Sequence, residues 1–477
     1  MRARSQNRPL ADHSHTFLLA TSIMTQPSSI LPFPSAAATV PRRGQENADP
    51  VVITGIGMGA SLGASREEVW QGVQSGQSGV RLTRDSDRIG SLRLPCGMVD
   101  WLDYDPYSLK SIRITEHVSA EALQDANLPW HSLDRERFAC SLSAQFGDIG
   151  YMYLPPETRD TQPLRADGHR WWDQFLPCSA STIIARQFDL RGPRLCHTTA
   201  CASGLISTIT AARMIQDDQA DFALCGAADT VAEMVIAAFN RLGVLSPGPN
   251  PASACRPFDT TRNGFVMGEG AAMLVLEKRS TAIARGAKIY AELAAFQTLC
   301  QAHHVTGLDG EAETLIHLIQ QLTRKAGWEH DGPQYINAHG TGTEQNDRSE
   351  LTAVRAAFGD AADDLLMSST KGVLGHLVNA AGSIELALTA MALRDGYAPP
   401  TMHLTSPEAT GSIDCLAEWG EQLQLDRALK ISLAFGGHLV GVALQRCPLT
   451  EHQRQPQPLI EQARVRTRRS TPLRRVA

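Results

Sequence analysis

The sequence predicts a layered α/β fold made of two similar βα-rich halves, and three observations carry that prediction. Short apolar runs of strand length alternate with helical spacings, the strands run out into glycine-rich turns, and the rhythm of the first half recurs in the second. Composition agrees. The chain is 43% hydrophobic and 20% charged, which suits a folded protein and excludes disorder as its main state. Its 477 residues suffice for two or three domains. Glycine is plentiful and aromatics are scarce at 6%, a balance that favours tight layers over a stacking surface.

Residues 1–49 read as a disordered N-terminal tail or an extended start, with Met24 the true beginning. They mix Ser, Pro, Ala and Gln, their only apolar run (Phe17–Ala20) is too short for a signal peptide, and Arg2, Arg4 and Arg8 with few acids allow a transit-peptide reading. The first half, 50–298, opens with a short buried strand, Pro50 to Gly57. Its Gly55, Gly57 and Gly59 fall as GxGxG, without the third spacing or the helix start of a dinucleotide site. Arg66–Val73 reads as a helix and 137–147 contains the next strand. Pro193–Thr199 is a strand running into Ala200-Cys201-Ala202-Ser203-Gly204, after which Leu205, Ile206, Ile209 and Ala212 give helical spacing. Asp221–Cys225 and Ala271–Glu277 are further strands.

The second half, 299–447, repeats the pattern. Tyr335–Ala338 is a strand leading into the loop His339-Gly340-Thr341-Gly342-Thr343, and Asp347-Arg348-Ser349-Glu350 has the form of a capping box opening the next helix. Leu365–Ser369 is a strand, followed by Lys371 and His376. The apolar stretch Leu377–Leu393 is broken by Asn379, Ser383, Glu385 and Thr389, so it reads as a buried core helix and not a membrane span. Ala428–Ala434 and Leu439–Gln445 close the fold around Phe435-Gly436-Gly437. Residues 448–477, rich in arginine, read as a basic C-terminal tail.

Several functions are excluded at this level. A net charge of −6, from 44 basic and 50 acidic residues, carries no nucleic-acid signature. Ten cysteines scattered from Cys96 to Cys447 without a CxxC pair point to reduced thiols in a cytoplasmic protein. His303 and His304 follow Cys300, but no second pair completes a tetrahedral site, so no metal is expected. The Gly340–Thr343 loop lacks the Walker spacing of a phosphate cradle.

Three residues stand out for chemistry. Cys201 sits among small residues where a strand turns into a helix, a place that exposes sulfur and aims helix N-terminal amides at it, favouring the thiolate; the alternative is one ordinary buried cysteine among ten. His339 ends a strand and His376 ends a loop, positions equally open to structural histidines. Lys371 and Glu385 flank His376, and near an apolar helix such charges pair.

Taken together, these residues resemble the β-ketoacyl-acyl-carrier-protein synthases, specifically the elongating Cys-His-His class of the thiolase superfamily. The resemblance rests on Thr198-Thr199-Ala200-Cys201-Ala202-Ser203-Gly204, Pro257-Phe258-Asp259 with Gly264 to Gly270, Ala338 to Thr343, and Ser369-Thr370-Lys371 through Gly375-His376, and it covers residues 50 to 447. It implies a thiolase-like α-β-α-β-α fold and the decarboxylative condensation of a Cys-bound acyl chain with malonyl carrier protein, giving a 3-oxoacyl carrier protein. Carried over, Cys201 is the nucleophile, and His339 and His376 bind the enolate oxygen. Lys371 and Glu385 tune the histidines, and the amides of Cys201 and Phe435 form the oxyanion hole. Thr341 and Thr343 hold the pantetheine arm, His304 lies near the departing carboxylate, and Phe239 and Phe435 gate the acyl pocket. The resemblance implies no metal and no cofactor beyond the phosphopantetheine of the carrier protein. It also implies a homodimer, or a heterodimer with a related ketosynthase or chain-length-factor subunit.

The closing loop departs from the family's Gly-Phe-Gly-Gly-Thr-Asn: here it reads Ala434-Phe435-Gly436-Gly437-His438-Leu439. Ala434 removes a glycine's freedom at the gate, His303 replaces the usual aromatic, and Asn263 stands where an acid is common. These departures imply an altered gate and a role in specialised polyketide or polyene assembly more than in ordinary fatty-acid elongation. The alternative is a non-catalytic chain-length-factor-like subunit. Degradative thiolases are set aside by Phe435-Gly436-Gly437-His438 where they carry a second cysteine, and initiating synthases by His376 where they carry asparagine.

Overall fold

The computed structural model describes residues 49–83, 94–103, 105, 108–144, 168, 174, 176–248, 250–408, 413–447 and 465–466. Ten strands form the central sheet: β1 (Val51–Ala60), β2 (Phe138–Ala144), β3 (Arg194–Leu195), β4 (Phe222–Asp229), β5 (Gly270–Lys278), β6 (Ala291–Cys300), β7 (Tyr335–Asn337), β8 (Leu366–Ser368), β9 (Arg427–Ala434) and β10 (His438–Gln445). Among the described residues ten α-helices accompany them: α1 (Arg66–Ser75), α2 (Lys110–Ala126), α3 (Ser179–Gln187), α4 (Ser203–Gln216), α5 (Glu233–Arg241), α6 (Arg279–Ala284), α7 (Glu313–Lys325), α8 (Glu344–Phe358), α9 (Lys371–Leu374) and α10 (Ala381–Asp395).

Sheet order shows that the fold is duplicated. It runs β8-β7-β9-β10-β6-β1-β5-β4-β2-β3, so five strands of each half follow the same order, third-second-fourth-fifth-first from the outer edge. Directions match as well: the first and fifth strands, and the fifth and fourth, pair antiparallel in both halves, whereas the second pairs parallel with the third and the fourth. The halves join where Val52 and Ile53 of β1 pair with Glu292 and Ala291 of β6. The expected boundary at 298/299 falls inside β6, which the strand order gives to the second half.

Helices complete five layers. α2 covers the outer face of the first half, burying Ile114, Val118 and Leu123 against Phe138, Leu142 and Val275. α7 and α8 cover the outer face of the second, where Leu318, Leu322 and Val354 meet Ile336 and Leu429. α4 and α10 lie between the halves in the largest apolar cluster, with Leu205 and Ile209 beside Ile384, Leu388 and strand residues Leu274 and Val442. α10 is buried through Leu393, as its nearly unbroken apolar sequence predicts; among the described residues no helix is long and apolar enough to cross a membrane.

Small residues set the layer spacings. A Cβ on Gly55 or Gly57 would stand 2.3 Å from the Ala122 carbonyl oxygen or 1.9 Å from that of Val118, so these glycines let α2 lie on β1. At the centre, a Cβ on Gly204 would meet the Ser383 amide at 2.5 Å, and one on Gly382 would meet Leu205 at 2.9 Å. α4 and α10 therefore touch backbone to backbone at their N-terminal turns.

Two sequence expectations change. The strand expected over Pro193–Thr199 is only Arg194–Leu195, at the sheet's edge, because β2 is its one neighbour and the chain leaves it to reach the turn at Cys201. The capping box expected at Asp347–Glu350 lies inside α8, which starts at Glu344 after Thr343. Both carboxylates serve the preceding loop instead, as described below. The expected N-terminal tail lies outside the described residues, apart from Asp49. So does the C-terminal one, except Val465–Arg466, which pair in parallel with Gly420–Gln422. All ten cysteines are free.

Gly57→Ala should drive α2 off β1 and lower stability by about 1–3 kcal/mol, read as a fall in the urea midpoint. An unchanged midpoint would show that the α2–β1 contact can relax without cost.

Candidate active site

The duplication brings the reactive residues together. Cys201 lies in the 3-10 turn (Ala200–Ala202) that feeds α4 in the first half. His376 lies between α9 and the 3-10 turn (Val378–Ala380) that feeds α10, the corresponding place in the second. His339 follows β7. All three line one cavity of about 500 Å³, together with Phe239, Phe265, Thr341, Thr343, Ala434 and Phe435. Cys201 Sγ and one nitrogen of each imidazole lie within 4.8 Å of one another. The imidazoles stand edge to face with centroids 5.2 Å apart, and Phe265 packs edge-on against His376 at 5.1 Å.

Strained backbone aims these groups. Ala200, immediately before the nucleophile candidate, has φ 45°, and Val378 has φ 40°, a rare conformation for a β-branched residue. The Val378 amide donates to His376 Nδ1 at 3.2 Å. That bond fixes the ring proton on Nε2, the nitrogen left for the cavity. Lys371 does the same for His339, its Nζ standing 3.5 Å from Nδ1 while also donating to the His339 carbonyl at 2.5 Å. Both rings thus offer an N–H to whatever occupies the centre. A metal ion would meet two N–H groups with ammonium charges behind them, so this donor set fits an anionic oxygen and not a cation.

The loop carrying His339 is held from below by carboxylates. Glu350 accepts the amides of His339 and Gly340, each at 2.6 Å, and Asp347 accepts those of Phe258 at 2.7 Å and Gly342 at 3.2 Å. This is why the Asp347–Glu350 motif mimics a cap: the acceptors collect turn amides, but from inside the helix. The Thr341 and Thr343 hydroxyls lie 2.8 Å apart on the cavity wall. A polar chain ties the two helix starts, from the Thr199 amide through Ser203 Oγ (2.9 Å) and Asn379 Oδ1 (3.3 Å), with the Asn379 amide on Asp229 (3.0 Å).

Electrostatics corrects one expectation. Burial pushes the Cys201 thiol up to about 12, and the Lys371 charge offsets only part of this. Desolvation therefore favours the protonated sulfur and opposes the helix-terminus effect. Burial, then the Lys371 charge, holds both imidazoles well below the usual histidine range, and they are neutral donors at physiological pH.

Behind His339, Lys371 pairs with Glu385 Oε1. Sequence reasoning missed a second ammonium, Lys430 of β9, whose Nζ lies 2.6 Å from Glu385 Oε2. The signal was a lysine set among the apolar Ala428, Leu429, Ile431 and Leu433 of one strand. Glu350 and Phe265 were missed as well. His304 does not line the cavity: it is exposed, and its Nδ1 accepts the amides of Thr306 (3.1 Å) and Gly307 (2.9 Å). Phe239 and Phe435 do face one another, 6.4 Å between centroids. The gate does not need a glycine at 434, because Ala434 closes β9 paired with His438 and the positive φ falls at Gly436 (88°) and Gly437 (78°).

A duplicated five-layer fold with a cysteine and two histidines meeting between its halves is a thiolase-like arrangement. Models of the N-terminal and C-terminal domains of β-ketoacyl synthase match residues 110–282 and 290–405. Among curated relatives, the tetracenomycin polyketide synthase ketoacyl synthase alpha subunit of Streptomyces glaucescens is 32% identical over 420 residues, covering 83% of this chain and 97% of that one. The 3-oxoacyl-acyl-carrier-protein synthase 2 of Coxiella burnetii is 34% identical over 401 residues, covering 81% and 96%. Among solved structures, a type II polyketide ketosynthase in complex with its acyl-carrier protein and bound to a hexaketide superposes with TM-score 0.75 at 28% identity, covering 84% of this chain and 100% of that one. The ishigamide ketosynthase/chain length factor gives 0.74 at 27%, with the same coverage. The chain belongs to the β-ketoacyl synthase family, and it is a ketosynthase, an acyltransferase that forms 3-oxoacyl thioesters.

Glu385→Gln would leave two buried ammoniums without their carboxylate and should cost about 3–5 kcal/mol. Chemical denaturation at neutral pH tests this, and a change within error would show that the pair is not held charged.

Proposed function

We propose that Cys201 carries the acyl chain and that His339 and His376 stabilise the enolate in a decarboxylative condensation with malonyl carrier protein. The observation that carries this reading is the pair of neutral imidazoles, each turned by its Nδ1 contact to present Nε2–H beside Cys201 Sγ. In the first step Sγ attacks the acyl thioester carbonyl, the amides of Cys201 and Phe435 receive the oxyanion, and the thiol proton ends on the departing pantetheine sulfur. Malonyl thioester then enters past Thr341 and Thr343. Its carbon–carboxylate bond breaks, CO2 leaves, and the electron pair moves onto the thioester oxygen held by the two N–H groups. The enolate carbon attacks the acyl-cysteine carbonyl; collapse frees the Cys201 sulfur, which takes up a proton, and releases the 3-oxoacyl thioester.

The phosphopantetheine arm of the carrier protein supplies the thioester, and no other cofactor enters this scheme. The partners are an acyl carrier protein and a second ketosynthase-like subunit, identical or related, in the cytoplasm. Two relatives support polyketide assembly as the setting: the tetracenomycin subunit, and the solved ketosynthase with a bound hexaketide. The second reading, a chain-length-factor-like subunit, is met by the same assay.

Wild-type chain incubated with acyl carrier protein bearing an acyl chain should gain that acyl mass by intact-protein mass spectrometry, and Cys201→Ala should gain none. Equal loading of the variant would remove Cys201 from the mechanism; no loading of either would favour the non-catalytic subunit.

A further inference from the structure

Lys430 is fully buried in the middle of β9, and the structure gives its ammonium a specific set of partners. Nζ donates to the carbonyls of Ile431 at 2.7 Å and Ala338 at 3.0 Å and lies 2.6 Å from Glu385 Oε2. Ala338 immediately precedes His339, whose own carbonyl is held by Lys371. Two lysines therefore grip the peptide groups on either side of His339 and share one carboxylate, Glu385, between them. A single buried Lys–Glu pair is neutral. The second lysine leaves this trio with an excess positive charge behind two uncharged imidazoles, offset in part by Glu350, and burying such a charge costs several kcal/mol unless it interacts with something else.

We propose that Lys430 is a positioning residue for the condensation, fixing His339 through the Ala338 carbonyl and adding a positive field that keeps both imidazoles neutral and favours the enolate. This inference rests on the ketosynthase reading above and extends it to a residue outside the cavity wall. The charged groups around Lys430 come from several elements. Glu385 of α10 and Lys371 of α9 touch it or its partner, Glu350 of α8 faces it across His339, and both imidazoles feel its charge. Tyr335 of β7, neutral through burial, lies near Glu385, and Asp229 of β4 lies near Cys201 within the first half. Against this set the sign is clear. Removing one ammonium favours a proton on His339 and His376. That proton would sit on Nδ1, against the Val378 amide and the Lys371 ammonium, and would break the ring orientation the donors need.

The test is malonyl carrier protein decarboxylation by the full chain against pH, for wild type, Lys430→Met and Lys430→Gln. The expected result is an acid inflection raised by about one pH unit in both variants, with the plateau rate lowered about tenfold. Gln keeps a donor for the Ala338 carbonyl, so a wild-type profile restored by Gln alone would overturn the field and leave only the hydrogen bond. Folded variants that both keep the wild-type profile would overturn the proposal altogether. A second reading needs no variant. Burial lowers Lys430 to about 8, so wild-type decarboxylation should fall through a step near that pH. Burial also raises Glu350 to about 7 and the Lys430 charge lowers it in part, so its step should persist in both variants and move to higher pH. A wild-type rate that holds or rises as the Lys430 ammonium is lost would overturn the charge assignment even if neither variant folds. Failure of the wild type to decarboxylate malonyl thioester at any pH would count against the ketosynthase reading instead.

Discussion

The contact that sets the reaction centre lies between the first turns of α4 and α10, where Gly204 meets the Ser383 amide and Gly382 meets Leu205 with no room for a Cβ on either. Much of the rest depends on that contact. Cys201 stands at the start of one helix and His376 at the start of the other, so the distance between nucleophile and donor is set by how near two backbones can come. A wider crossing would separate them by more than hydrogen-bonded chemistry allows. The duplicated strand order is what delivers the two helix starts to the same place, because each half feeds its central helix from the same strand position.

Around that contact the charges are arranged in depth. The cavity wall offers uncharged donors; Lys371, Lys430 and Glu385 lie behind them; Glu350 and Asp347 fasten the His339 loop by its amides. Burial governs the thiol and the two imidazoles more than the neighbouring charges do, raising the one and lowering the others. The arrangement favours an anion that forms during the reaction over a charge that is present beforehand, which is the condition for stabilising a transition state and not a ground state.

Much of this was legible in the sequence, in physical terms. Strand ends followed by glycine turns located Cys201 and His339, and the apolar run at 377–393 gave the buried helix. What one dimension could not give was depth. Lys430 occupies a strand position that an edge strand would also fill with lysine, and only the tenfold sheet shows that β9 is interior. Asp347 and Glu350 have the spacing of a cap because caps and loop clamps use the same acceptors. His304 was placed near the chemistry by its resemblance, whereas its ring is exposed with Nδ1 held by its own turn. Ala434 looked like a lost hinge, but the bend belongs to the two glycines after it.

The protonated state of Cys201 bears on how the chain meets reactive small molecules. Burial raises the Cys201 thiol and so disfavours the thiolate that a simple electrophile or oxidant would attack. Cys300, exposed at the end of β6, is the sulfur such a reagent encounters first. Selective covalent capture of Cys201 thus calls for a compound that resembles an acyl thioester and draws the proton away as it binds. Reactivity alone would label the surface.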